Sequence, residues 1–255
     1  MVSQKVISLL EDKINVVQKE GGESLYLVGP ITLPVNLEGE TKTFKWYSWL
    51  NCETMAGEFC SQGKMDAEKI IKRLSSSNLA EMQQSSVLVY GDFQDSLDAL
   101  IRMHSICHTG DIFGSKRCDC GYQLKTSMKM ISSHGSGAIF YLANHEGRGI
   151  GLFSKAMAYI LQEEGLDTVE ANLELGFVDD SRSYEDAIDV LKFLRDKPVT
   201  LISNNPKKYN ALKEAGLNIA GRMPLWGDVS EFNEKYLETK VVRSGHIRGE
   251  IFNEQ

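Results

Sequence analysis

Three cysteines constrain this chain more than any other feature. Cys107, Cys118 and Cys120 stand in the pattern C-x10-C-x-C, with Gly110, Gly114 and Gly121 between and beside them. A zinc ion held by thiolates needs its sulfurs about 2.3 Å from one centre, so the backbone has to double back on itself, as glycines allow. The fourth ligand decides the chemistry. If His104 or His108 closes the tetrahedron the site is structural, whereas water in that position makes the metal a Lewis acid. Three thiolates weaken the pull on such a water, so neighbouring acid and base groups would have to help. Spacing leaves both readings open. Cys52 and Cys60 lie outside the cluster and read as buried apolar residues. Five cysteines in 255 residues do not form the pattern of a disulfide framework, and reduced thiols are expected.

Composition narrows the partners. With 42% hydrophobic and 25% charged residues the chain is globular, which excludes disorder and fibrous repeats. Against 28 basic side chains stand 35 acidic ones, a net charge of −7, which argues against coating nucleic acid. A small anionic ligand stays open if basic residues converge locally. Apolar stretches fall far short of the ~18 residues of a membrane span. The run Ile7 to Leu10 is cut by Glu11, Asp12 and Lys13 before it could act as a signal peptide. The expectation is a cytoplasmic protein that binds neither membrane nor nucleic acid.

Val6, Leu9, Leu10, Ile14 and Val17 recur at three- and four-residue spacing and predict an amphipathic helix over residues 3–18, ended by Gly21 and Gly22. Ser24 to Asn51 reads as a small strand meander punctuated by Pro30, Pro34 and Gly39, Met65 to Leu74 as a short helix, and Ser75 to Ser77 as a loop. The texture changes at Val87. Strands are expected at Val87–Tyr90, Ala99–Met103, Ala138–Leu142 and Val199–Ser203, and helices at Gln123–Ser132, Phe153–Glu164, Tyr184–Arg195 and Pro206–Ala215. This alternation is that of a mixed α/β domain.

Several runs in series carry a resemblance: HSICHTGDIFGSKRCDCGYQL (104–124), HEGRGIGL (145–152), KAMAYILQ (155–162), DTVEANLELGFVDDSRSY (167–184) and SNNPKK (203–208). Together they resemble GTP cyclohydrolase II over about residues 86–247. The resemblance implies a catalytic domain of that type at 85–247, with an N-terminal extension at 1–84, a tail at 248–255 and no fused dihydroxybutanone-phosphate synthase domain. It implies hydrolysis of GTP to a diaminopyrimidine ribosyl phosphate, formate and pyrophosphate, the committed step towards riboflavin. The family's zinc ligands fall on Cys107, Cys118 and Cys120, with water as the fourth ligand, and activated water would attack C8 of the purine. Asp180 matches the family's proton acceptor, Arg182 its nucleophile at the α-phosphate, and Tyr159 is a further catalytic candidate. A guanidinium with a pKa above ~12 offers no free lone pair, so a phosphate clamp suits Arg182 at least as well.

By the same resemblance GTP would be bound by Arg102, His104, Ser105, Gln123, Glu146, Gly147, Arg148, Thr168, Ser203 and Lys208, with Mg2+ on the triphosphate. Taken alone, Asn204-Asn205-Pro206 is an ordinary helix start, Lys207 or Lys208 a solvated charge, and Tyr159 a core residue. A homodimer is implied, with Trp46, Tyr47 and Trp49 as extra apolar surface. Three positions depart from the family. It usually reads HSEC where this chain has Ile106 before Cys107, glutamine where His145 stands, and an apolar residue at His108. These departures keep two further functions in view. One is that of a divergent enzyme that takes another nucleotide or stops at a formamidopyrimidine product. The other is that of a non-catalytic, zinc-stabilised nucleotide-binding protein.

Overall fold

The computed structural model describes residues 3–19, 24–51, 60–61, 64–65, 67–75 and 84–247. In chain order these form α1 (Gln4–Glu11), β1 (Ile14–Gln18), β2 (Ser24–Leu37), β3 (Glu40–Asn51), the short pair β4 (Cys60–Ser61) and β5 (Lys64–Met65), and α2 (Ala67–Leu74). There follow β6 (Ser86–Gly91), β7 (Leu100–Ser105), α3 (Cys120–His134), β8 (Ser136–Leu142), α4 (Leu152–Glu163) and α5 (Thr168–Glu174). The chain continues through α6 (Glu185–Leu194), β9 (Val199–Ile202), α7 (Pro206–Glu214), β10 (Ile219–Met223) and α8 (Glu234–Val242). The fold is mixed α/β, as its alternating pattern predicts.

Eight strands make one sheet in the order β1-β2-β3-β6-β8-β7-β9-β10. From β1 to β8 neighbours run antiparallel, and from β8 to β10 they run parallel. The N-terminal hairpin therefore belongs to the same sheet as the motif-rich region, joined to it by the β3–β6 ladder from Lys45↔Val89 to Ser48↔Ser86. In β8 every residue but Tyr141 is buried, the pattern of a strand covered on both faces.

Two cores clothe the sheet. Ile101, Met103, Phe140 and Leu201 pack on one face against Ile188 and Leu191 of α6 and Leu212 of α7. On the other face Leu100, Ile139 and Ile202 pack against Met128 and Ile131 of α3. Side chains alternate along a strand, so Arg102 and His104 share the α3 face with Leu100. The connection from β7 leads to β8 on one side, while that from β9 leads to β10 on the other. Such a reversal opens a crevice at the carboxyl ends of adjacent parallel strands, here β7 and β9.

The opening helix is shorter than its periodicity predicts. It ends at Glu11, with Asp12 as its cap, and residues 14–18 form a strand in register with β2 from Ile14↔Val28 to Gln18↔Ser24. Ile14 and Val17 satisfy a helical spacing, but ladder pairing and burial of Val17 beside Leu25 and Leu27 override it. The next helix begins at Ala67, because Lys64–Met65 pairs with Cys60–Ser61. Trp49 is not surface: it packs against Phe140 in the core at 6.4 Å, and Trp46 and Tyr47 are half-buried. Gly21, Gly22, Cys52, Ser76, Ser77, the side chain of Cys60 and the tail 248–255 fall outside the described residues.

Candidate active site

The three cysteines converge. Cys107 opens a π-helical turn, His108–Ile112, and Cys120 opens α3, so residues 108–119 loop back and bring the sulfurs within 4.8 Å of one another. Cys107 and Cys118 sulfurs are 3.5 Å apart. Three thiolates ~2.3 Å from a tetrahedral zinc would stand ~3.8 Å apart, so the set fits such an ion. Gly110 makes the approach possible, since a Cβ there would lie 2.9 Å from the Cys118 sulfur and 3.1 Å from that of Cys107. Left to themselves the thiols do not ionise together. Hydrogen bonds from Cys118 and Cys120, with Lys155 nearby, drive Cys107 far down, and its charge pushes Cys118 up to about 11 and Cys120 up as well.

Neither candidate histidine joins the sulfurs. Among the described residues no fourth His, Cys, Asp or Glu atom belongs to the group. Both ring nitrogens of His104 are engaged: Nδ1 accepts from Arg102 Nε at 3.3 Å and Nε2 donates to Asp111 at 3.1 Å. Burial, helped by Arg102 and opposed by Asp111, pushes its pKa down and keeps it neutral, in accord with that tautomer. His108 sets its ring edge-on to Phe113 and donates its backbone N–H to Glu146 at 2.7 Å.

Behind the sulfurs lies a buried polar frame. Lys155 Nζ reaches Glu146 at 2.5 Å, Thr109 at 3.2 Å and the Cys107 sulfur at 3.3 Å. Burial opposes its charge, but Cys107 and Glu146 more than offset this and raise its pKa. One turn on, Tyr159 sits 3.3 Å from the Thr109 hydroxyl with Arg117 4.2 Å over its ring, and burial keeps its phenol protonated. Asp111 collects donors from the Cys107 backbone, Tyr141 and His104. Asp119, between two of the cysteines, accepts from Lys240 at 2.6 Å, Gln123 at 2.6 Å and the Gly227 backbone.

The second half of the site stands on the loop after β8. Gly149 has φ +98, and a Cβ on it would lie 2.2 Å from Ser181 Oγ, so only glycine lets this loop pack against 179–182. There Asp180 grips Arg182 with two bonds of 2.8 Å, to Nε and Nη2. Burial alone would raise the Asp180 carboxyl, but Arg182 and Lys207 hold it well below the usual carboxylate range. Arg182 stays charged: burial opposes this, and Tyr184 and Asp180 outweigh it. Arg182 Nη1 also donates to Ser105 at 3.3 Å, and Ser105 bonds His145 Nδ1 at 3.1 Å, whose Nε2 donates to the Ser183 carbonyl at 2.7 Å. Burial pushes His145 down to about 3.

One open cleft is lined by the three cysteines, by Asp180, Arg182 and Tyr159, and by all ten residues expected to bind GTP, whereas His108 does not line it. Several are occupied within the frame. Arg102 is committed to His104, the Ile202 carbonyl and Gln123, Lys208 donates to the Met103 carbonyl at 2.6 Å, and Ser203 accepts from the Asn205 backbone. Ile106 lines the cleft too. Sequence reasoning missed Lys155, although its four-residue spacing from Tyr159 on one helix face was a usable signal. It also missed Asp111, Asp119 and the wall that α8 and its sequel supply through Tyr236, Lys240, Ser244 and His246.

The model of the family described as GTP cyclohydrolase II matches residues 74–224, more than half of the chain. The chain belongs to the GTP cyclohydrolase II family. A relative named GTP cyclohydrolase-2 from Histophilus somni (strain 2336) is 42% identical over 191 residues, 74% of this chain and 88% of that protein. One of the same name from Picrophilus torridus is 47% identical over 167 residues, 66% of this chain and 86% of its own. A rice protein, Oryza sativa subsp. japonica, named probable bifunctional riboflavin biosynthesis protein RIBA 1, chloroplastic, is 48% identical over 172 residues, 68% of this chain and 32% of that one. This GTP cyclohydrolase II family member thus spans about a third of the plant relative's length. Among its described residues no helix is long and apolar enough to cross a membrane.

Proposed function

We propose that this chain hydrolyses GTP, opening the imidazole ring at C8 with release of formate and pyrophosphate to leave a diaminopyrimidine ribosyl phosphate. One observation carries the reading: a three-sulfur cluster fit for zinc and an Asp180–Arg182 pair fit for phosphate share one cleft at the carboxyl ends of β7, β8 and β9. Cys107, Cys118 and Cys120 would hold the zinc, whose chemistry is Lewis-acid activation of water. Magnesium would accompany the triphosphate.

The chain's own residues divide the remaining tasks. Lys155, charged and 3.3 Å from Cys107, balances thiolate charge from behind the sulfurs. Tyr159, a neutral phenol, holds a proton at its oxygen on the cleft wall. Arg182 acts as a phosphate clamp. Its guanidinium is held charged and oriented by Asp180, which leaves it no lone pair for attack. Asp180 orients Arg182, and its depressed pKa makes it a weak proton acceptor. Arg148 and Lys207, anchored at 2.5 and 3.6 Å on Asp179, supply further positive charge.

Incubation with GTP and Mg2+ followed by mass spectrometry tests the reading, which expects formate, pyrophosphate and the pyrimidine product. Cys118→Ser should lose zinc by elemental analysis, and undiminished zinc would remove the metal from these sulfurs. Ile106 in the cleft wall favours one second reading, a changed purine preference. A formamidopyrimidine product would instead mark an enzyme that stops after ring opening. Tight nucleotide binding without turnover would mark a non-catalytic binding protein. We also propose a catalytic part that begins at residue 85, on a sheet it shares with β1–β3, and a homodimer. Its apolar surface would be the stripe Phe153, Met157 and Ile160 along α4, exposed where Trp49 is not. Light scattering at the single-chain mass of 28.5 kDa at all concentrations would reject the dimer. A cytoplasmic location is part of the proposal. Plant relatives carry chloroplastic names, and cell fractionation would decide between the two compartments.

A further inference from the structure

Among the described residues two buried side-chain polar atoms lack a hydrogen-bond partner, the Tyr184 hydroxyl and His246 Nδ1, and of these two residues His246 lines the cleft. A buried polar nitrogen without a partner is unfavourable by about 1–3 kcal/mol, so His246 Nδ1 presents the cleft with an open hydrogen-bonding position.

The backbone around His246 is pinned from several directions. Its own N–H donates to the Lys240 carbonyl at 3.1 Å, and the next residue, Ile247, donates to the Asn204 carbonyl at 3.1 Å. Trp226 Nε1 donates to the Ile247 carbonyl at 3.0 Å, and the Trp226 ring lies 6.1 Å from the imidazole. Asn204 is itself fixed by two bonds to the Leu225 backbone. The imidazole is thus carried on a clasp that ties the chain after α8 to the carboxyl end of β9.

The charges facing it share one sign. Lys240 of α8, Lys208 of α7 and Arg148 of the loop after β8 all act on His246, and after burial they are what hold its pKa down to about 3. Lys240 is neutralised by Asp119 and Arg148 by Asp179, while Lys208 donates to the Met103 carbonyl beside the Tyr184 ring, and burial next to Arg102 and Arg182 pulls its pKa well down, so an anion arriving there would favour its charged form. Arg148 Nη2 also reaches Ser244 at 3.2 Å, which aligns this cation with the clasp. An unpaired nitrogen among three basic side chains, one of them short of a counter-charge, complements a ligand with several anionic oxygens better than a neutral base edge.

We propose that His246 is a substrate-binding residue of this cleft, its Nδ1 donating to an oxygen of the nucleotide's polyphosphate beside Lys208 and Arg148. The assignment rests on the triphosphate reading of the cleft. It gives the segment after α8 a direct part in substrate binding, which neither the family match, which stops at residue 224, nor any sequence motif indicates.

Calorimetric titration of the metal-loaded full chain with inorganic tripolyphosphate and, separately, with guanosine tests it. His246→Ala should weaken tripolyphosphate binding about tenfold or more and leave guanosine binding unchanged. His246→Gln, which keeps a side-chain donor, should recover part of the loss; it also serves as the working variant if His246→Ala fails to fold. Unchanged tripolyphosphate binding in both variants, or an equal loss for the two probes, would overturn the proposal. A wild-type chain that binds tripolyphosphate through His246 yet turns over no GTP would leave the anion site standing while the cyclohydrolase reading fell.

Discussion

Lys155→Met removes the cation from a buried three-way contact and leaves its partners in place. The side chains of Lys155 and Glu146 are only 10% and 3% exposed, and their contact is 2.5 Å. Methionine replaces the aliphatic stem, so lost packing is small and the loss is mainly electrostatic. Breaking a buried pair by deleting one partner costs about 3–5 kcal/mol, because the remaining charge stays dehydrated. Glu146 would keep a single strong donor, the His108 backbone N–H at 2.7 Å. At roughly 2–4 °C per kcal/mol for a chain of this size, Tm should fall by about 6–20 °C. Glu146→Gln should cost less, since Lys155 still faces Cys107 at 3.3 Å. The double variant should be more stable than Lys155→Met alone, with a coupling of about 1 kcal/mol or more. Urea unfolding of all four proteins, with zinc measured in each, provides the cycle. Energies that add to within about 0.5 kcal/mol would show that the two side chains do not compensate one another, and the role given to Lys155 would fail.

The buried neutral histidines set an acid limit. His145 and His246 have folded pKa values near 3, below the unfolded value of about 6.5, so their contribution is complete above pH 6.5 and lost as pH falls towards 3. Between pH 7 and 5.5 each should subtract about 1 kcal/mol, and His145→Gln should flatten the curve by that amount in urea titrations. Arg182→Ala should slow pyrophosphate release more than formate release, and equal losses of both products would oppose the clamp assignment. Ile106→Glu should shift the kcat/KM ratio between GTP and ITP by the equivalent of about 1–3 kcal/mol. An unchanged ratio would make Ile106 a packing residue.

The sequence was most legible where local rules decide. The helix start at Asn205-Pro206 and the buried strand at 138–142 stand where expected, because a cap with a first-turn proline and a continuous apolar run need no distant partner. The cysteine cluster was equally readable, its three thiols lying within fourteen residues of chain. The error at residues 14–18 came from a pattern that satisfies two periods, and only the β2 ladder chose between them. Asp111, Asp119 and Lys240 were invisible for another reason. Each is an ordinary charged residue until a partner brought in from elsewhere makes it part of the site, and Lys240 meets Asp119 across 121 positions.

The crevice between β7 and β9 has a kinetic consequence. The sulfur end of the cleft closes a loop of little more than ten residues, whereas Leu100 pairs with Thr200, and Arg102 reaches the Ile202 carbonyl, only after the whole crossover through β8, α4, α5 and α6. Distant closure is entropically dearer and slower to find. On a growing chain the thiols of residues 107–120 could therefore take up the proposed zinc before residues 199–208 exist to complete the other wall. Metal uptake would precede nucleotide competence, and the segment after α8, which carries His246, would join the cleft only after both of its walls.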